Sequence, residues 1–101
     1  MALNIKSTLT TKEGIPVENA YVRVIAQDGP SGTHIGIVLE TFVNASAFEN
    51  GLNTFEPTQF DKVFASDYNR ETDGVDVLSF AHQKAVEYLT SKGVTAEILL
   101  T

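Results

Sequence analysis

The residues best able to do chemistry are two histidines, His34 and His82, and an acidic stretch, Asn69-Arg-Glu-Thr-Asp-Gly74. Paired histidines suggest a general base or a metal site. A zinc centre, however, needs three or four ligands, and neither His-x-His nor His-Glu-x-x-His spacing occurs here. The stretch from Asn69 to Gly74 sets oxygen-bearing side chains ahead of a glycine, as calcium loops do. The glutamate such a loop requires at its twelfth position falls on Phe80, so no bidentate carboxylate closes the site. An acidic turn in front of a helix is favoured by the helix dipole without any ion.

Other catalytic signatures fail on similar grounds. No Gly-x-Ser-x-Gly elbow exposes a serine, and no Gly-x-Gly-x-x-Gly or Gly-Lys-Ser/Thr loop is present to cradle phosphate. Thirteen carboxylates offer many pairs for glycoside chemistry, but none sits in an apolar context that would raise its pKa. With no cysteine there is no disulfide, thiolate nucleophile or thiolate-bound metal. The expectation is a non-enzymatic chain with no cofactor and no metal.

The candidate sites are therefore contact residues. Tyr21, Arg23 and Ile25 share one face of a predicted strand, and aromatic and arginine side chains anchor many protein interfaces. The alternative is that this face lies under a helix, with Tyr21 packed beneath it and Arg23 stretched over its edge. A second candidate surface is acidic. Between Glu40 and Asp76 there are eight acids and two bases, which accounts for the whole net charge of −6 because the remainder is balanced at five of each sign. Glu56, Asp61, Glu71 and Asp73 would carry such a surface, unless the segment is only a solvated loop region. The negative charge argues against nucleic acid and anionic membranes as partners.

These residues must be positioned by a single domain spanning 1–101, since no linker or composition break divides the chain. Its opening, MALNIKSTLT, alternates polar and apolar residues and reads as neither signal peptide nor membrane anchor, so a soluble protein is expected. Leu3, Ile5, Ser7 and Leu9 mark one face of a first strand. After the turn at Thr11–Pro16, Asn19–Gln27 is the return strand, with Ala20, Val22, Val24 and Ala26 opposite Tyr21, Arg23 and Ile25. His34–Val43 is a third strand, its core face drawn from Ile35, Ile37, Leu39 and Val43.

Asn44–Gly51 reads as a short helical turn. Leu52–Ala65 reads as an irregular edge strand or a loop pinned around Pro57 by Phe55, Phe60, Val63 and Phe64, and Ser66–Gly74 as a turn-rich stretch. The clearest helix runs from Val75 to Lys92, capped by Asp73 or Asp76, with a stripe of Leu78, Ala81, His82, Ala85, Tyr88 and Leu89. Gly93 ends it, and Thr95–Leu100 is a last strand. The fold class is α+β: an antiparallel sheet of about four or five strands, curled toward a sandwich in one variant, with a long C-terminal helix on one face.

Two segments, Asn19-Ala-Tyr-Val-Arg-Val24 and Ala85-Val-Glu-Tyr-Leu89, together with the order of strands, aromatic loop, helix and tail strand, resemble small proteins encoded among the structural genes of tailed bacteriophages. That resemblance implies a virion component of the tail, baseplate or capsid-associated parts. Such a protein would be present in the host cytoplasm during assembly and would act through contacts with copies of itself and other virion proteins. The other reading is a small acidic inhibitor or adaptor that binds a host protein through the 40–76 surface.

Overall fold

The computed structural model describes residues 2–28, 34–51, 53–67 and 77–99. Five antiparallel strands form one sheet: β1 (Ala2–Ile5), β4 (Tyr21–Asp28), β5 (His34–Phe42), β6 (Val63–Asp67) and β7 (Ala96–Leu99), in the order β6-β5-β4-β1-β7. A two-stranded ribbon of β2 (Leu9–Thr10) and β3 (Pro16–Val17) extends the β1–β4 hairpin. The short helix α1 (Ala45–Glu49) follows β5, and the long helix α2 (Val77–Ser91) links β6 to β7. The architecture is α+β, with one sheet and one long helix packed on it.

Alternation explains the core. Leu3, Ile5, Val22, Val24, Ile35, Ile37 and Leu39 all turn to one face and are buried there against Ala81, Ala85 and Leu89 of α2. Alanine at the two central helix positions lets the helix lie close to the strands. Strand pairing aligns the rows: Leu3 stands opposite Val22, and Val24 opposite Leu39. β6 and β7 lie at opposite edges, four strand spacings or roughly 19 Å apart. A helix of 15 residues, about 22 Å long, is enough to carry the chain across.

The ends of α2 and α1 follow local chemistry. Gly93 adopts φ +78°, and Val94 N–H donates to Leu89 O (2.8 Å) while Gly93 N–H donates to Thr90 O (3.0 Å), the paired bonds of a Schellman ending. Val94 and Leu89 are both buried, supplying the apolar contact that accompanies this motif. The Asn44 side chain caps α1 by accepting from Ala47 N–H at 2.8 Å. The capping expected of Asp73 or Asp76 lies outside the described residues.

Several sequence expectations are corrected. The first strand is interrupted after Ile5, although Leu9 is still fully buried, so the alternation outlasts the ladder. Asn19 is not a strand residue: at φ 55° it makes the left-handed break between β3 and β4, which Asn tolerates better than most residues. Val43 is 48% exposed because β5 ends at Phe42 and Val43 enters the turn to α1; Thr41 takes its place in the core row. Ser66 and Asp67, expected in a turn, complete β6. Leu78 is 40% exposed at the start of α2, so the buried stripe begins one turn later.

Candidate interaction surface

The two faces of the sheet are unequal. α2 covers the face of Val22 and Val24, so the strand face bearing Tyr21, Arg23 and Ile25 is not the one beneath the long helix. At one end of that second face α1 lays Phe48 over it: the Tyr21 and Phe48 rings stack at 5.1 Å, and Phe42 meets Phe48 edge-on at 5.2 Å. Tyr21 is thus half-buried by a neighbour from its own chain.

Beyond this plug, successive cross-strand rows carry different chemistry. Arg23 pairs with Glu40 across β4 and β5, with Nη1 3.5 Å from Oε1. That oxygen is buried and makes no hydrogen bond, so Arg23 balances its charge without a directed contact. The next row is apolar and three strands wide: Ile25 of β4 stands opposite Val38 of β5, and Val38 opposite Val63 of β6. Ile25 and Val38 are half-buried, and Val63 is 56% exposed. Ala65 beside them is exposed, opposite Gly36. The row is β-branched throughout, a flat apolar strip at the edge of the sheet.

Glu56 and Asp61 lie elsewhere, on the loop between α1 and β6. Leu39 N–H donates to Lys62 O (2.7 Å), and Phe55 N–H donates to Thr41 O (2.9 Å), but the residues between leave the edge of β5. They lean on the β2–β3 ribbon instead: Thr58 N–H donates to Thr10 O (2.9 Å), and the Gln59 amide exchanges bonds with Thr10. A cleft of about 440 Å³ opens between loop and strand, walled by Leu39, Phe55 and Phe60 and rimmed by Lys12, Glu56 and Asp61. Lys12 and Glu56 form an ion pair at 2.6 Å. Their hydrogen bond, with the charge attraction added, holds the lysine above its ordinary pKa and the glutamate below its own. Asp61 is exposed, and its N–H donates to Tyr88 Oη at 3.0 Å.

Part of the acidic segment is neutralised within the chain. Among its described members, Glu40 and Glu56 are balanced by Arg23 and Lys12, cations from outside the segment. Glu71 and Asp73 lie outside the described residues, as does the whole Asn69–Gly74 stretch. So does the His34 side chain. His82 is fully buried in the face of α2 turned to the sheet, with Nδ1 2.6 Å from Leu78 O. That geometry requires Nδ1–H to donate, leaving the Nε2 lone pair buried without a partner. Among the described residues no three His, Asp or Glu side chains are grouped to hold a metal ion.

Sequence reasoning singled out Tyr21, Arg23 and Ile25, passed over Val38 and read Val63 as a buried anchor, whereas Val63 is 56% exposed and, with Val38, makes Ile25 part of a strip. The signal was present in Val38, which alternates out of phase with Ile37 and Leu39. The chain matches no protein-family model, no curated protein and no solved structure.

Proposed function

We propose that this chain is a non-enzymatic assembly subunit, acting through contacts with further copies of itself and with other virion proteins in the tail, baseplate or capsid-associated part of a phage particle. The observation that carries the reading is the Ile25, Val38, Val63 row, apolar across three strands and left uncovered by α2 and α1. Exposed apolar strips beside a sheet edge favour association, because water gains by their removal and the edge offers backbone bonds. The resemblance of Asn19–Val24 and Ala85–Leu89 to small phage structural proteins supports a virion as the setting of such association. The inhibitor reading draws less support, since Glu40 and Glu56 are already balanced within the chain.

Light scattering across a wide concentration range tests the proposal. A discrete oligomer or an assembling series is expected, and Val63→Lys, which puts a charge at the exposed end of the row, should disperse it. A wild-type monomer at every concentration, with no capture by other particle proteins, would refute it.

A further inference from the structure

The short helix α1 ends on Asn50-Gly51, and no other Asn-Gly pair occurs in the sequence. Gly51 takes φ +67°, a conformation that glycine adopts without strain and that ends the helix. The missing Cβ has a second consequence. A side chain at position 51 would flank its backbone nitrogen; without one, that nitrogen is open to the side-chain amide of Asn50. Both residues are exposed, and a Cβ at Gly51 would meet no atom within 4 Å.

Such a pair can react within the chain, and asparagine is among the thermolabile residues. Gly51 N forms a bond to Asn50 Cγ, and the side-chain nitrogen leaves as ammonia, taking up the proton of the Gly51 amide. The product is a five-membered succinimide. Water then opens the ring at one carbonyl or the other, giving aspartate or isoaspartate. One water is consumed and one ammonia released, with no change of oxidation state.

The fold restrains this reaction. Asn50 sits at φ −90° and ψ 5°, so Gly51 N nearly eclipses the nitrogen of Asn50 itself. Cβ stands about a third of a turn away around the Cα–C bond, and ring closure needs Gly51 N to swing round to it. Two hydrogen bonds oppose that rotation: Gly51 N–H donates to Phe48 O (3.2 Å), and Asn50 N–H to Ser46 O (3.0 Å). The turn carrying them is held in place by the Asn44 cap and by Phe48 against Tyr21 and Phe42.

We propose that Asn50 is a site of spontaneous deamidation gated by local opening of α1, and that its isoaspartyl product loosens the plug over Tyr21 and Phe42. Isoaspartate inserts one more carbon into the main chain ahead of Gly51, which displaces the Gly51 N–H from Phe48 O. Either product sets a carboxylate beside Glu49, at the helix end whose carbonyls already repel negative charge. The change is one-way, so the helix-free face becomes more open as the protein ages. Only α1 and water are required, independently of the assembly reading.

Incubation at mildly alkaline pH, followed by peptide mass mapping and fragmentation that tells isoaspartate from aspartate, tests the site. In the folded chain Asn50 should convert ahead of Asn4, Asn19, Asn44 and Asn53. Asn44→Ala should react about fivefold faster, the fold-change equivalent to a cap of about 1 kcal/mol, and the chain in urea faster still. Asn50→Gln, which would have to close a six-membered ring, should stay unmodified at position 50. Hydrogen exchange across 45–51 should quicken in the isoaspartyl protein and not in Asn50→Gln. An intact Asn50 in the folded chain, after the chain in urea has reacted there, overturns the site. Equal rates in wild type and Asn44→Ala overturn the gating by α1. Isoaspartyl protein with unaltered exchange across 45–51 overturns the effect on the plug.

Discussion

The ring of Phe64 lies on the ring of Tyr88, centroids 4.2 Å apart and planes 14° apart, and the Tyr88 hydroxyl accepts the N–H of Asp61 at 3.0 Å. One helix residue thus fastens both the edge strand β6 and the turn that leads into it. Tyr88→Phe keeps the stack and loses the hydrogen bond, so it should cost about 0.5–1.5 kcal/mol in urea unfolding. Tyr88→Ala loses both and should cost about 3 kcal/mol or more, in the usual range for deleting a large aromatic. Hydrogen exchange should quicken in 61–67 well before it does in β1 or β4. Equal losses for the two variants would mean that the stack contributes nothing.

On the face of the sheet away from α2, α1 acts as a plug. Asn44 caps α1 through Ala47 N–H, and Phe48 covers Tyr21 and Phe42. Asn44→Ala should cost about 1 kcal/mol by loss of the cap. Phe48→Ala should cost more and also expose the ring of Tyr21, raising its accessibility to fluorescence quenchers. Unchanged quenching in Phe48→Ala would show that α1 does not shield the face.

His82 separates a structural role from a chemical one. Its Nδ1–H donates to Leu78 O, and Nε2 is buried without a partner. Replacing the ring by an apolar side chain of similar volume removes an unsatisfied atom together with one hydrogen bond, so His82→Leu should change stability by less than about 1.5 kcal/mol. His82→Ala leaves a cavity under α2 and should cost about 2–4 kcal/mol. Equal and large losses for both variants would show that the Leu78 bond, which both remove, outweighs packing at this site.

Much of this fold is legible in the sequence because it is local. Val22 and Val24 alternate with Tyr21 and Arg23, Ile35 and Ile37 keep the same period, and Gly93 after a helical stripe marks its end by a positive φ that glycine, unlike other residues, adopts freely. β6 is illegible for the opposite reason. Ser66 and Asp67 have the composition of a turn, and they join a strand because β5 offers an open edge and Phe64 finds Tyr88, both distant in sequence. The candidate surface was half visible. Alternation shows that Tyr21, Arg23 and Ile25 share a face, but which face the helix takes depends on the whole sheet, and the addition of Val63 to the row depends on the register of β6.

The exposed ion pair between Lys12 and Glu56 gives a pH signature that follows from its two shifts. The hydrogen bond to Lys12, then its charge, lowers the pKa of Glu56 on folding, so that contribution is present above the ordinary glutamate range and is lost as pH falls through the lowered value. The pKa of Lys12 is raised by the same partner, so its contribution is present below the ordinary lysine range and is lost as pH rises through the raised value. The pair therefore steadies the 55–62 loop between those limits, and salt weakens it because both groups face water. Comparing wild type with Glu56→Gln by denaturant midpoint at low salt should show a small gap near neutral pH. That gap should close as pH falls through the lowered pKa of Glu56, below which both proteins carry an uncharged side chain at position 56. A gap that persists in acid, or that is unaffected by added salt, would show that Glu56 acts through packing against the ribbon and not through its charge.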